Sequence, residues 1–230
     1  MIKYEVLVLL GGKGTRVNKF TKNKPKCLIK FNKKPFLYYQ LKYLKNNGIK
    51  NVLLSSCYLS KKIETYVRKN INFINIKIVN DGKPLGTGGA IRKSIKFMKQ
   101  NFFIIYGDSY LNFRLTKLIK NKDLATMAIF KNKNLYDRSN IRLKNGNKIE
   151  YYRSSENKEL QFIDYGVSYV DKSIFVNIKK NKKFELSELF EKISKKNILS
   201  KYVVKKRFYE IGSYNGINDF RNYLKKNEIN

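Results

Sequence analysis

Val6-Leu7-Val8-Leu9-Leu10-Gly11-Gly12-Lys13-Gly14-Thr15-Arg16 is the stretch that decides the fold. Its five apolar residues read as a buried strand, and the glycines that follow read as a turn. A strand that empties into such a turn can bring bare backbone N–H groups up against phosphates. Arg16 ends the turn, and Lys26 follows ten residues later in Lys24-Pro25-Lys26. A guanidinium clamps phosphate oxygens with its fork, whereas an ammonium acts as a point charge. The combination suits a nucleoside triphosphate with charge moving at its α-phosphate. The plainer reading is a tight turn. The Gly-Lys-Ser/Thr ending of a Walker P-loop and the full Gly-x-Gly-x-x-Gly spacing of a dinucleotide fold are both missing.

Outward from this strand, helix-like and strand-like segments alternate. A helix is predicted from Pro35 to about Asn46, ended by Gly48, and a strand at Val52–Leu54. Ser60 is expected to cap a helix through Lys69, and Ile74–Val79 to form a third strand. Gly88 to about Lys99 reads as a helix. Phe102–Tyr106 is apolar throughout, as in a strand covered on both faces. The second half reads as strands at Ala125–Phe130, Asn140–Leu143, Lys148–Arg153 and Phe162–Val170, with Asn145-Gly146 a hairpin turn. Helical pieces at Ser173–Val176 and Glu185–Ile193, short strands at Tyr202–Lys205 and Phe208–Ile211, and a helix from about Asn215 to Lys226 complete it. The pattern predicts an α/β fold with a doubly wound, mostly parallel sheet and a smaller β-rich portion. Ligands in such sheets bind beyond the carboxyl ends of the strands.

The chain has 230 residues, 42% of them hydrophobic, which is enough for a core. One domain over residues 1–230 is expected, divided at about residue 122. No apolar run approaches the ~20 residues of a membrane span, and the N-terminus lacks the layout of a secretory signal. Two cysteines without any histidine argue against a zinc site or a disulfide framework. A cytoplasmic setting is the expectation. The net charge of +33 invites a nucleic-acid reading. The cations are mostly lysine, however, with nine arginines, and they spread along the whole chain. That is a basic surface rather than a binding block, so no specific nucleic-acid partner is expected.

Three further segments carry chemistry. Pro84-Leu85-Gly86-Thr87-Gly88-Gly89-Ala90-Ile91 opens a helix, whose N-terminus attracts anions and whose glycines admit a flat base. Close packing at a helix start is the alternative. Gly107-Asp108-Ser109 places a carboxylate after the fourth strand, suited to Mg2+ beside phosphates, or to a plain turn. Tyr209-Glu210-Ile211-Gly212-Ser213 places a second carboxylate before a glycine turn.

Taken together these segments resemble the sugar-phosphate nucleotidyltransferases, or NDP-sugar pyrophosphorylases, over nearly the whole chain. The resemblance rests on Leu10–Arg16, Lys24-Pro25-Lys26, Pro84–Ile91, Tyr106–Leu111, Ile163-Asp164-Tyr165-Gly166 and Phe208–Ser213. Within the family the short bacterial branch of D-glycero-D-manno-heptose 1-phosphate and mannose 1-phosphate guanylyltransferases is the most similar. The resemblance implies that Arg16 binds the triphosphate, Lys26 sits at the reacting phosphates, and Asp108 binds Mg2+, the implied cofactor, with Glu210 where the family usually has Asp. It implies a nucleotide site at Leu10, Gly11, Gly12, Gly14, Thr15, Asp81, Gly86 and Thr87, and a sugar-phosphate site at Gly107, Arg153, Asp164 and Gly166. Arg153 stands where a lysine is usual, and Asp164-Tyr165-Gly166 where Asn-Ala-Gly is usual.

Asp81 lies three residues before Pro84, where family members place a side chain that reads the base. An ionised carboxylate only accepts hydrogen bonds. Guanine offers N1–H and its 2-amino group side by side. Uracil and thymine offer one N–H, and cytosine and adenine only an amino group, so guanine is favoured. The implied partners are a nucleoside triphosphate and a sugar 1-phosphate, with a homo-oligomer left open and no membrane. The implied reaction is NDP-sugar formation with release of pyrophosphate, manno-configured heptose or hexose favoured. UTP, CTP or dTTP as donor, a nucleic-acid-binding module and a non-catalytic nucleotide sensor are the rival readings.

Overall fold

The structure is a computed structural model that describes residues 2–119, 123–154, 159–179 and 183–228. The chain opens with β1 (Tyr4–Leu9), a short α1 (Asn18–Thr21) and a hairpin of β2 (Lys30–Phe31) and β3 (Lys34–Pro35). Then come α2 (Phe36–Asn46), β4 (Asn51–Ser56), α3 (Ser60–Asn70), β5 (Asn75–Asn80), α4 (Gly86–Ser94), β6 (Met98–Tyr106) and β7 (Ser109–Tyr110). The second half contains β8 (Ala125–Lys131), β9 (Ile141–Leu143), β10 (Ile149–Tyr151) and β11 (Phe162–Asp171). It ends with α5 (Leu186–Lys195), β12 (Leu199–Val204), β13 (Tyr209–Glu210) and α6 (Tyr214–Lys226).

β6, β1, β4 and β5 lie side by side in parallel and form the centre of the sheet. β11 pairs antiparallel with β6, setting Val167 opposite Ile105. Through β11 the sheet gains β8 and the β9–β10 hairpin, and β12 joins β8 in parallel. The fold is therefore mixed α/β with a parallel centre and an antiparallel extension. The division expected near residue 122 falls next to 120–122, outside the described residues; the β6–β11 ladder carries the sheet from one half of the chain to the other.

Side-chain alternation along β1 explains the winding. Val6 and Val8 point to one face and pack with Leu37, Leu41 and Ile63 from α2 and α3. Leu7 and Leu9 point to the other and pack with Ala90, Ile91, Leu189 and Phe190 from α4 and α5. Both faces of β1 are dry, so the strand is apolar without interruption. A third cluster joins Val17, Phe31, Phe36 and Tyr39 to Tyr110, Ile217 and Phe220. It docks α6 on the segment around Lys26 and on β7.

Two local expectations are corrected. The helix opened by Gly86 ends at Ser94, a 3-10 turn covers Ile95–Phe97, and β6 begins at Met98. Lys99, Gln100 and Asn101 are strand despite their polarity. Ladder partners decide this, with Asp171 opposite Asn101 and Tyr4 opposite Met98, while Lys99 and Gln100 face solvent. Ser60 does not cap α3. It lies in the first turn, its hydroxyl 2.7 Å from that of Ser56 and donating to Glu64 Oε1 at 2.9 Å, and the capping position is Leu59. Among the described residues no helix is long and apolar enough to cross a membrane.

Candidate active site

Four parallel strands end at one place. Leu10, Gly11 and Gly12 follow β1, Ser55 and Cys57 mark the end of β4, Asp81 follows β5, and Tyr106, Gly107 and Asp108 mark the end of β6. Between them lies a cavity of about 370 Å³, closed on its far side by Leu85, Gly86 and Thr87 and by Lys183 and Glu185. A second, smaller cavity of about 210 Å³ holds Arg16, Arg138, Asp164, Gly166 and Glu210, and shares Tyr106 and Asp108 with the first.

Lys26 leads a 3-10 turn and its side chain is largely buried, with Nζ 2.5 Å from Asp108 Oδ2. Gly14 makes room for that approach. Its φ is +67°, and a Cβ there would stand 3.2 Å from Lys26 Cβ and from Thr21 Cγ2. Glu210 reaches Asp108 because β13 pairs with β7, placing Glu210 opposite Ser109. Around Gly212 three functional groups converge. A Cβ placed there would lie 2.9 Å from Glu210 Oε2, 3.2 Å from Asp108 Oδ2 and 3.4 Å from Arg16 Nη2.

Glu210 also accepts from the amides of Gly212 and Ser213 and from the Ser213 hydroxyl at the start of α6. Burial pushes its carboxyl above the usual range, and the nearby charge of Asp108 pushes the same way, while Ser213 and Gly212 oppose them. Two carboxylates that repel each other at the edge of the smaller cavity form a hard-oxygen donor pair. A Mg2+ ion bound through one or two carboxylates plus substrate phosphates asks for no more. Among the described residues there is no cluster of three or more metal-ligating side chains, so protein ligands alone would not complete a site.

Asp81 is buried, and its Oδ2 accepts from Ser55 Oγ at 3.0 Å. Its Oδ1 has no hydrogen-bond partner among the described residues. Burial raises its carboxyl, with Ser55 and Lys93 pulling the other way. Asp164 sits in the smaller cavity with Oδ1 accepting from Gly166 N at 2.8 Å and Oδ2 buried with no hydrogen-bond partner among the described residues. Burial pushes its carboxyl up to about 7, against the Gly166 amide and the Tyr106 hydroxyl.

The glycines of Gly86–Gly89 serve packing first. A Cβ on Gly86, whose φ is +72°, would strike the Phe184 carbonyl, and one on Gly88 would enter the Phe184 ring. Thr87 is likewise committed: its hydroxyl donates to Glu185 Oε2 at 2.8 Å and accepts from Leu186 N at 2.7 Å. The loop is thereby fastened to the N-terminus of α5 while Gly86 and Thr87 still line the larger cavity.

Of the expected site residues, Leu10, Gly11, Gly12, Lys26, Asp81, Gly86, Thr87, Gly107 and Asp108 meet in the larger cavity. Arg16, Asp108, Asp164, Gly166 and Glu210 meet in the smaller one. Gly107, expected on the sugar side, belongs to the larger cavity. Gly14 and Thr15 support the turn and line neither. Arg153 also lines neither: it is exposed, with Nη2 3.8 Å from Glu188 Oε1 on α5. Ser55, Cys57, Lys183, Glu185 and Arg138 were not foreseen. Ser55 follows from strand ends alone, whereas Glu185 and Arg138 arrive from distant segments with no motif to mark them.

Residues 5–135 match the Nucleotidyl transferase family model. The chain is 31% identical over 209 residues to D-glycero-alpha-D-manno-heptose 1-phosphate guanylyltransferase of Campylobacter jejuni, covering 90% of this chain and 94% of the relative. It is also 31% identical to the enzyme of that name from Aneurinibacillus thermoaerophilus, covering 89% and 87%. The crystal structure of HddC from Yersinia pseudotuberculosis complexed with GMP-PN superposes with a TM-score of 0.81 at 23% identity, covering 96% of this chain and 99% of that one. That last likeness concerns the fold. The family match, the two relatives and the strand-end cavity agree: this chain belongs to the nucleotidyl transferase family.

Proposed function

We propose that this protein joins a nucleoside triphosphate, GTP in preference, to a manno-configured heptose or hexose 1-phosphate, releasing pyrophosphate. The observation that carries the reading is the pair of cavities meeting at Tyr106 and Asp108, with Lys26 and Arg16 beside the junction. The larger takes the nucleotide and the smaller the sugar. The nucleotide part of the single domain is thus mainly the first half of the chain, and the sugar part mainly the second.

In the proposed step an oxygen of the sugar phosphate attacks the α-phosphorus in line, and the bond to the pyrophosphate oxygen breaks. The nucleophile is already an anion, so no general base is required, in keeping with a chain that has no histidine. Catalysis is then positioning plus charge neutralisation. Lys26 draws the two phosphates together, and Arg16 neutralises phosphate charge at the junction. Asp108 and Glu210 would hold Mg2+, which when bound supplies charge neutralisation at phosphate oxygens. Asp81 reads guanine through its acceptor oxygens, and Asp164 accepts from sugar hydroxyls. A cytoplasmic enzyme drawing on the nucleotide pool fits the free thiols of Cys27 and Cys57.

The test is pyrophosphate release with Mg2+ across GTP, UTP, CTP, dTTP and ATP, each with mannose, glucose or D-glycero-D-manno-heptose 1-phosphate. Release with GTP and a manno-configured sugar supports the reading. Release only with another nucleotide overturns the base assignment, and no release in folded protein overturns the reaction.

A further inference from the structure

The sugar phosphate brings charge into a cavity already rich in carboxylates: Asp108, Asp137, Asp164 and Glu210 all line it. Arg16 and Arg138 are the cations that line it as well. Arg16 stands where Asp108 and Glu210 converge. Arg153 is elsewhere, against Glu188. Arg16 serves phosphate charge at the junction in the proposed step, so among the described residues Arg138 is the further guanidinium that this cavity offers an incoming sugar phosphate.

The loop that carries Arg138 is built to present it. Between β8 and β9 the chain folds around Asn132 and Ser139, both fully buried. Asn132 Nδ2 donates to Asp137 O at 2.6 Å and to Ser139 Oγ at 3.1 Å, and its Oδ1 accepts from Tyr136 N at 3.2 Å. Asn134 Oδ1 accepts from Ser139 N at 2.8 Å. Arg207, paired with Asp219 at 2.8 Å, stacks over the Tyr136 ring at 3.7 Å. Asp137 Oδ1 accepts from Arg138 N at 2.7 Å and is thereby turned onto the backbone. Buried polar groups with their partners in place hold a loop in one conformation, while the guanidinium itself makes no hydrogen bond or ion pair among the described residues. Its planar donors match a phosphate in two-point fashion.

We infer that Arg138, carried by this Asn132–Ser139 loop, is the residue that binds the phosphate of the sugar 1-phosphate. The inference rests on the proposed reaction and names a binding residue within it.

The test compares wild type, Arg138→Ala, Arg138→Lys and Arg153→Ala as full-length proteins. Steady-state pyrophosphate release gives KM for GTP and for the sugar 1-phosphate, and calorimetry gives binding of mannose 1-phosphate and D-glycero-D-manno-heptose 1-phosphate without turnover. Expected for Arg138→Ala is a KM for the sugar 1-phosphate raised roughly 10- to 100-fold, the scale of one charge-assisted contact, with KM for GTP unchanged. Arg138→Lys should recover part of the loss, which a merely structural role for the loop would not allow. Wild-type sugar KM and binding in Arg138→Ala, or a loss confined to Arg153→Ala, overturns the inference while wild-type turnover keeps the reaction. If wild type releases no pyrophosphate the reaction fails separately, and binding of the sugar 1-phosphates by wild type but not Arg138→Ala still supports the residue's role. Equal binding, or none in either, overturns it.

Discussion

Lys26 Nζ lies 2.5 Å from Asp108 Oδ2, so the lysine that closes Lys24-Pro25-Lys26 rests on the carboxylate that follows β6. Each charge orients the other at the junction of the two cavities. Lys26→Ala should lower turnover at least ~10²-fold, the scale for one key electrostatic group. The pair is partly solvated, so its loss should move Tm by no more than about 4 °C. Pyrophosphate release beside scanning calorimetry separates the two effects; near-wild-type turnover would remove Lys26 from the chemistry.

Asp81→Asn tests base reading. The amide replaces an acceptor with a donor at the nucleotide cavity and sets N–H against N–H of guanine. The specificity constant kcat/KM for GTP should drop roughly 10- to 100-fold relative to the other nucleotides. A uniform fall across the nucleotide panel would make Asp81 a packing residue instead.

Asp164 predicts a pH effect on stability. Burial pushes its carboxyl to about 7, whereas an unfolded Asp titrates near ~3.9. Between these values the folded state holds the extra proton, so this residue's contribution to stability declines as pH rises from about 4 to about 7 and then levels off. Asp164→Asn removes that decline. Denaturant unfolding at pH 5 and pH 8 should show the variant gaining on wild type at the higher pH; a pH-independent difference would contradict the burial argument.

Gly88→Ala would push a methyl group into the buried Phe184 ring. Overpacking of this kind costs about 1–3 kcal/mol. Chemical denaturation should show that loss, and Phe184→Leu in the same chain should recover part of it. Equal stability of Gly88→Ala and wild type would free these glycines for a role at the ligand alone.

Much of this molecule is readable along the chain. Val6–Leu10 announces a strand covered on both sides because each of its residues meets a helix. Glycines mark the places where backbone passes close to something else, and Asp81 and Asp108 follow apolar strands whose parallel pairing brings their ends together. Local pattern carried these elements because strand period and turn chemistry are local physics. It failed at Lys99–Asn101, which continue the strand from Met98, paired with β1, to Asn101, paired with β11, and at Ser60, whose hydroxyl finds Ser56 and Glu64 instead of the helix's free amides.

Which residues share a cavity is a different kind of question. The β7–β13 ladder, backed by α6 against Phe31 and Phe36, puts Glu210 beside Asp108. The seat of Phe184 on Gly86 and Gly88 brings Glu185 to Thr87. A loop built on Asn132 and Ser139 sets the exposed Arg138 at the edge of the smaller cavity, while Arg153, on the neighbouring β10 side, pairs with Glu188. Strand, turn and family are legible along the chain because they depend on near neighbours and a short ordered signature. The partners of Glu210 and Glu185, and the cavity that Arg138 lines, were decided only by the packed sheet, because contacts between distant segments depend on how all the layers settle together.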